Sequence, residues 1–276
     1  METAYSENRR QRWIVVMALV ITGFMALLHV NAIYYAVGAL AVDWIYDITV
    51  VLFALAATIL ALLIWRSARK GMVLKVIWGS LALGLLLWTI GEVIWAFDEL
   101  IRGEELPYPS VADVVYVAGY IPLIVALYLR YHSLRAAPSR RWLLVTLGAF
   151  AILAALAVGF TIGPIVTYPE YDRPVEQFLD ALYPLGDLLV ALGALLVVLV
   201  LSGGALSLPW AVIAAGFVVQ SIADLLFSYA TWNEIYLSGT EAGINLVTAL
   251  TDVPYYASYL IIAVGVYMQA RMQRVA

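Results

Sequence analysis

The sequence contains no cysteine, which excludes disulfide bonds, thiolate catalysis and cysteine-ligated metal sites. Histidine is almost as scarce, because it occurs only at His29 and His132. Neither histidine forms a His-x-x-Glu or Glu-x-x-His pair, so the zinc-hydrolase and di-iron patterns are missing. The chain also has no phosphate-binding glycine loop and no nucleophile elbow. We therefore expect a binding protein rather than an enzyme, with no metal site, and the sequence identifies no cofactor.

Charge is scarce as well: only 12% of the 276 residues are charged and 64% are hydrophobic. A soluble domain has about a quarter of its residues charged. Runs of roughly twenty apolar residues, the length that a helix needs to cross a bilayer, recur along the whole chain. The sequence predicts an all-α, polytopic membrane bundle, 1–276, that lies in the cell membrane with the lipid bilayer as its main partner. The eight predicted spans, the first of them a retained helix rather than a cleaved signal, are 13–35, 44–65, 72–97, 111–130, 142–166, 178–201, 209–231 and 246–270.

The charges that are present are segregated. All of the fifteen Lys and Arg residues except Arg102 and Arg173 fall at one end of the predicted spans. Of the nineteen acidic residues, only Glu2 and Glu7 fall outside the outer loops and the outer halves of the spans. The positive-inside rule places the basic end, and with it both termini, in the cytoplasm. The outward end is then acidic and rich in tyrosine and tryptophan.

One short motif recurs at a long and nearly constant spacing. Asp-x-x-Tyr opens each even-numbered predicted span, with separations of 70, 67 and 72 residues between the aspartates. A pattern in register with the helical hairpins predicts four hairpins of the same orientation. The four copies are Asp43 and Tyr46, Asp113 and Tyr116, Asp180 and Tyr183, and Asp252 and Tyr255.

A coarser period divides the chain into two halves, 1–137 and 138–276. An acid follows a small residue inside the third span, at Gly91–Glu92, and again inside the seventh, at Ala223–Asp224. Because each half has an even number of predicted spans, the halves are expected to be parallel rather than inverted repeats.

The Asp-x-x-Tyr copies have two interpretations. In the structural one, aspartate caps a helix start and tyrosine lies in the interfacial aromatic belt. In the functional one, four aspartates and four tyrosines gather around an outward-facing vestibule that binds a cation, an amine or a polar ligand.

Glu92, Asp187 and Asp224 lie deeper, inside their predicted spans, where capping cannot explain them. An ionisable group within the bilayer is costly unless it faces the bundle interior, water or a partner. Helical spacing places Trp88 and Trp95 on the face of Glu92, and Gln220 one turn before Asp224. The alternatives are an interhelical hydrogen-bond network and a ligand or proton site. No lysine or arginine lies at this depth, so we expect some of these acids to be protonated or bound to a cation.

One stretch resembles a known class of membrane region. It is PYPSVADVVYVAGY, Pro107 to Tyr120, which follows WTIGEVIW and an acidic loop. It resembles the multi-pass membrane regions that precede PAS, histidine-kinase or GGDEF/EAL modules in bacterial and archaeal signalling proteins. The Pro-x-Pro-Ser-x-Ala-Asp core, 107–113, is its most distinctive part. The resemblance implies a sensory input domain. Only Arg271 to Ala276 follow the last predicted span, so we expect any output to require a separate cytoplasmic signalling partner, and we expect no nucleic-acid partner.

Three functions remain open at this point. The first is a stand-alone sensory or ligand-binding membrane module. The second is a small transporter or ion-coupled carrier that uses the buried carboxylates. The third, an intramembrane enzyme acting on lipid, has only the carboxylates in its favour.

Overall fold

The fold is known from a computed structural model. It describes residues 2–35, 39–69, 72–102, 108–134, 138–171, 173–201, 207–237 and 244–275. These residues are almost entirely helical, and no strand occurs among them. Eight helices are long and apolar enough to cross a membrane, which confirms the predicted all-helical, multi-pass class.

The helices extend beyond the hydrophobic runs that predicted them, because their polar ends continue into the loops. The third helix ends in a π-helical turn, Asp98–Arg102, and the fifth span is interrupted by another, Val158–Ile162. In chain order the helices are α1 Glu2–Tyr35, α2 Ala39–Ser67, α3 Val73–Phe97, α4 Val111–Ser133, α5 Arg140–Ala157, α6 Gly163–Thr167, α7 Pro174–Val200, α8 Ser207–Trp232 and α9 Leu246–Met272.

The interruption of the fifth span has a local cause. Pro164 lies at the start of α6, where its missing N–H removes a donor that a continuous helix would need. The N–H of Gly163 instead donates to the carbonyl of Val158, one residue further back than in an α-helix. Segments α5 and α6 therefore form one span that carries a wide turn near its acidic end.

Six helices form a closed ring in the order α2, α3, α4, α7, α8 and α9, and α9 packs back against α2. Helix α1 lies outside the ring against α9, and α5 lies outside it against α7. Aromatic rings fill the centre, where Trp78 and Trp210 have centroids 5.1 Å apart. Helix α5 has the least buried hydrophobic window of the eight spans, as expected for a helix that faces lipid.

The two ends of the ring differ in chemistry. The end that we call the basic end carries Lys75, whose Nζ donates to the carbonyl of Ala68, and Arg130, which stacks on Trp210. The opposite, acidic end carries Asp98, paired with Arg102, and the loops around Asp180. Most of the buried polar side chains lie towards the acidic end, whereas Arg130 and Gln269 are buried near the basic end.

Candidate functional site

The four Asp-x-x-Tyr motifs lie inside their helices, not at the first position. Helix α4 is capped by Ser110 and α9 by Asn245. Only Asp113 takes part in capping, at the third position of a capping box with Ser110. The prediction that the aspartates are N-caps is therefore wrong, because each helix begins at or before the residue that precedes its motif. The side chain of Asp43 lies outside the described part of the chain.

Helices α4 and α7 exchange two tyrosine–aspartate hydrogen bonds. Tyr183 on α7 donates to Oδ1 of Asp113 on α4 at 2.6 Å. One to two turns deeper, Tyr120 on α4 donates to Oδ1 of Asp187 on α7 at 2.7 Å. Gly186 makes room for the second bond, since a Cβ there would lie 2.8 Å from the Tyr120 ring. The two bonds thus join α4 to α7 in the ring.

Glu92 on α3 binds the tyrosines of α9. Its Oε1 accepts hydrogen bonds from Tyr255 at 2.5 Å and from Tyr259 at 2.8 Å, and Tyr116 on α4 also donates to the carboxylate. Gly91 admits the Tyr116 ring, which a Cβ at that position would meet at 2.6 Å. Glu92 is 6% exposed, and these phenols supply the donors that a buried carboxylate requires.

Asp187 on α7 and Asp224 on α8 lie close enough for their carboxyl groups to interact. Asp187 is fully buried, whereas Asp224 is half-buried. Nε2 of Gln220 donates to Oδ2 of Asp224 at 3.2 Å, and the hydroxyl of Ser258 on α9 donates to Oε1 of Gln220. With Tyr120, these side chains form one polar chain across α4, α7, α8 and α9.

A separate group surrounds Asp252 on α9. Its Oδ1 accepts from Tyr236 at 3.1 Å, and its Oδ2 lies 3.6 Å from Nε2 of His29 on α1. Nδ1 of His29 lies 2.9 Å from the carbonyl of Met25; since a carbonyl only accepts, this nitrogen carries a proton. Tyr46 packs edge-on against the His29 ring. The outer helix α1 is thereby attached to the ring through a histidine–aspartate contact.

Asp180 lies nearer the surface and accepts hydrogen bonds from two tyrosines, from Tyr108 at 2.5 Å and from Tyr171 at 2.7 Å. The Tyr171 ring stacks on Trp232, with centroids 5.7 Å apart, and Tyr168 meets Trp232 edge-on at 5.3 Å. We call this surface the Asp180 rim; it consists of Tyr108, Tyr168, Tyr171, Asp180 and Trp232.

The phenols of the Asp180 rim keep their protons at neutral pH. Burial, reinforced by the hydrogen bond to Asp180, raises the pKa of Tyr108 above its ordinary value. The same two causes raise the pKa of Tyr171. Both groups therefore act as donors to Asp180, and the rim around them combines the exposed ring of Tyr168 with the half-buried rings of Tyr171 and Trp232.

The two tryptophans that the sequence analysis placed on the face of Glu92 lie in different environments. Trp88 is buried; its Nε1 donates to the carbonyl of Tyr116, and its ring packs against Tyr120. Trp95 is 38% exposed and donates to Glu99 on the surface. Helical spacing therefore located Trp88 and Glu92 in the interior, but the structure does not bring Trp95 to them.

Sequence reasoning missed Tyr120 and Tyr259, which donate to Asp187 and Glu92 respectively. The sequence does contain a pattern that points to both. Each lies four residues after the tyrosine of an Asp-x-x-Tyr copy and therefore on the same helix face as that tyrosine. It also missed Tyr108 and Tyr171, for which the loops give no periodic signal.

Among the residues that the structure describes, no three His, Asp or Glu side chains are grouped so as to hold a metal ion. Comparison of the chain with protein-family models, with curated proteins and with solved structures finds no match.

Proposed function

We propose that this chain is a sensory module of the membrane that binds a small organic cation or amine at the Asp180 rim. The observation that carries the proposal is the convergence of two phenols on Asp180 beside the stacked rings of Tyr171 and Trp232. A carboxylate attracts an ammonium group, and an exposed aromatic face contributes about 0.5–1 kcal/mol of cation–π attraction.

The surrounding charge supports a cationic ligand. The acidic end also carries Glu170 and Glu176, and Glu176 is partly compensated by its ion pair with Arg173. Arg173 in turn donates to the carbonyl of Tyr108 and fixes the loop that supplies that phenol. A net negative field at this end raises the local concentration of cations.

The proposal includes an orientation and a repeat. The basic end faces the cytoplasm under the positive-inside rule, with both termini there, and the Asp180 rim faces outward. The order of the ring supports two parallel halves: α2, α3 and α4 neighbour one another as α7, α8 and α9 do, and α4 meets α7 as α9 meets α2. The four Asp-x-x-Tyr hairpins belong to the same proposal.

A route for the signal runs inward from the rim. Asp180, Tyr183 and Asp187 share one face of α7, and the last two are bonded to α4. A cation that binds beside Asp180 attracts its carboxylate away from the two phenols and changes the position of α7 against α4, and the ring carries that change to the basic end. A separate cytoplasmic signalling partner would read it there, as the resemblance of PYPSVADVVYVAGY to sensory membrane regions implies.

Titration calorimetry on the purified protein tests the proposal, with tetramethylammonium chloride as the probe and potassium chloride at equal ionic strength as the reference. The Asp180→Asn variant should bind the probe at least about tenfold more weakly, a loss of roughly 1.4 kcal/mol. Glu176→Gln is the matched control, because it removes the same charge from the same helix one turn away. Equal affinities of wild type and Asp180→Asn would overturn the assignment.

An ion-coupled carrier is the second candidate, favoured by the location of Glu92, Asp187 and Asp224 inside spanning helices. Uptake into proteoliposomes separates the two functions. A carrier accumulates labelled probe and loses uptake in Asp224→Asn, whereas a sensor binds the probe without net transport.

A further inference from the structure

Asp187 and Asp224 form a contact that two ionised carboxylates cannot form unaided. Asp187 is 0% exposed, and its Oδ1 accepts the hydroxyl proton of Tyr120. Its Oδ2 is buried and receives no donor from any N–H or O–H group of the described residues. The carboxyl group of Asp224 on α8 interacts with the carboxyl group of Asp187.

The groups around the pair do not neutralise it. Side chains that act on the two carboxyls are Tyr120 on α4, Gln220 on α8 and Glu92 on α3. The neutral phenols of Tyr183, Tyr255 and Tyr259 also lie near Asp224. Tyr120 and Gln220 each donate one hydrogen bond without bringing a positive charge, and Glu92 adds a third acid. Among the described residues that act on the pair, none is a cation.

Two carboxylates in contact repel strongly, and such pairs are stable when they share one proton. We propose that Asp187 and Asp224 form a proton-binding site that holds a single proton between Oδ2 of Asp187 and the facing carboxyl oxygen of Asp224. The proton supplies a donor for Oδ2 of Asp187, which otherwise has none, and leaves the pair with one negative charge. The Tyr120 hydroxyl and the Gln220 amide stabilise that charge from either side.

The location of the site gives the proton a structural effect. The pair joins α7 to α8, Tyr120 joins it to α4, and Gln220 with Ser258 joins it to α9. Loss of the shared proton places two negative charges in contact and separates α7 from α8. Since Asp224 retains some exposure, it gives the pair a route for proton exchange. This inference does not depend on which ligand the Asp180 rim takes.

Infrared and carbon-13 NMR spectroscopy of protein labelled only at the aspartate carboxyl carbons tests the site in detergent at neutral pH. The wild type should show the signal of a protonated aspartate. Asp187→Asn and Asp224→Asn should each abolish it, because an asparagine amide donates to the remaining carboxylate without an added proton. Asp180→Asn, which leaves the pair intact, is the control, and aspartate labelling excludes any contribution from Glu92.

Three outcomes contradict the proposal. The first is the absence of a protonated-aspartate signal in the wild type, and the second is persistence of the signal in both single variants. The third is a signal that appears only after alkali cations are removed, which would mean that a cation occupies the site. If the asparagine variants fail to fold, Tyr120→Phe provides a second test. It removes the phenol that donates to Asp187 but leaves both carboxyl groups, so the protonated-aspartate signal should remain.

Discussion

The hydroxyl of Tyr120 donates to Asp187 across 2.7 Å, and this bond joins α4 to α7 deep inside the ring. It depends on a close approach of the tyrosine ring to the backbone at Gly186. Together with the opposite bond from Tyr183 to Asp113, it fixes α4 against α7.

Gly186→Ala should destabilise the protein by about 1–3 kcal/mol, the usual cost of overpacking a well-filled site. The new methyl would lie 2.8 Å from the Tyr120 ring and displace the hydroxyl from Asp187. Gly148→Ala is the control, because a Cβ at Gly148 meets nothing within 4 Å and alanine favours a helix. Thermal unfolding in detergent, followed by tryptophan fluorescence, measures both. Equal midpoints for the two variants would contradict the packing argument.

Removing both phenols that donate to Glu92 should destabilise the protein by more than the two single removals added together. Tyr255→Phe and Tyr259→Phe each delete one donor to Oε1 of Glu92. Each should lower the free energy of unfolding by about 1 kcal/mol. The double variant leaves this oxygen without either donor and should lose more than the sum. Tyr128→Phe, at a 59% exposed ring on α4, is the control and should be neutral. Strict additivity would show that the two bonds do not act on one buried charge.

Alkaline pH should reduce the stability that the Asp180 rim contributes at the acidic end of the bundle. The pKa values of Tyr108 and Tyr171 are raised in the folded protein above the ordinary tyrosine value of 10.0. The stability that these phenols contribute is therefore fully present below about pH 10 and is lost as the pH rises further. The double variant Tyr108→Phe/Tyr171→Phe should show a smaller fall in unfolding midpoint above that pH than the wild type. Parallel profiles of the two proteins would contradict the assignment.

The sequence was sufficient for the membrane class and for the deep acids. Eight apolar runs predict eight spans because the bilayer sets a minimum length that local composition satisfies. Glu92, Asp187 and Asp224 stood out because no capping role explains an acid inside a span. The structure places Asp187 and Asp224 in contact, and Glu92 close enough to act on Asp224.

What the sequence could not give is which helix meets which. Tyr183 donates to Asp113 rather than to an acid of its own helix because α4 and α7 are neighbours in the ring, a relationship that no local pattern contains. The capping prediction failed for a related reason. Helices α7 and α9 begin at Pro174 and Leu246, six residues before Asp180 and Asp252, so these aspartates lie more than one turn inside their helices.

The central claim is that a cation at the Asp180 rim changes the basic end of the ring. The absence of native cysteine allows spin labels to be attached directly. The labels are placed at Ser133→Cys, the last residue of α4, and at Gln273→Cys, just after α9, both on exposed side chains. Pulsed electron paramagnetic resonance then measures the distance between the labels. The account predicts that tetramethylammonium shifts this distance in the wild-type background and leaves it unchanged in Asp180→Asn. Binding of the probe without any change in the distance would contradict the sensory role.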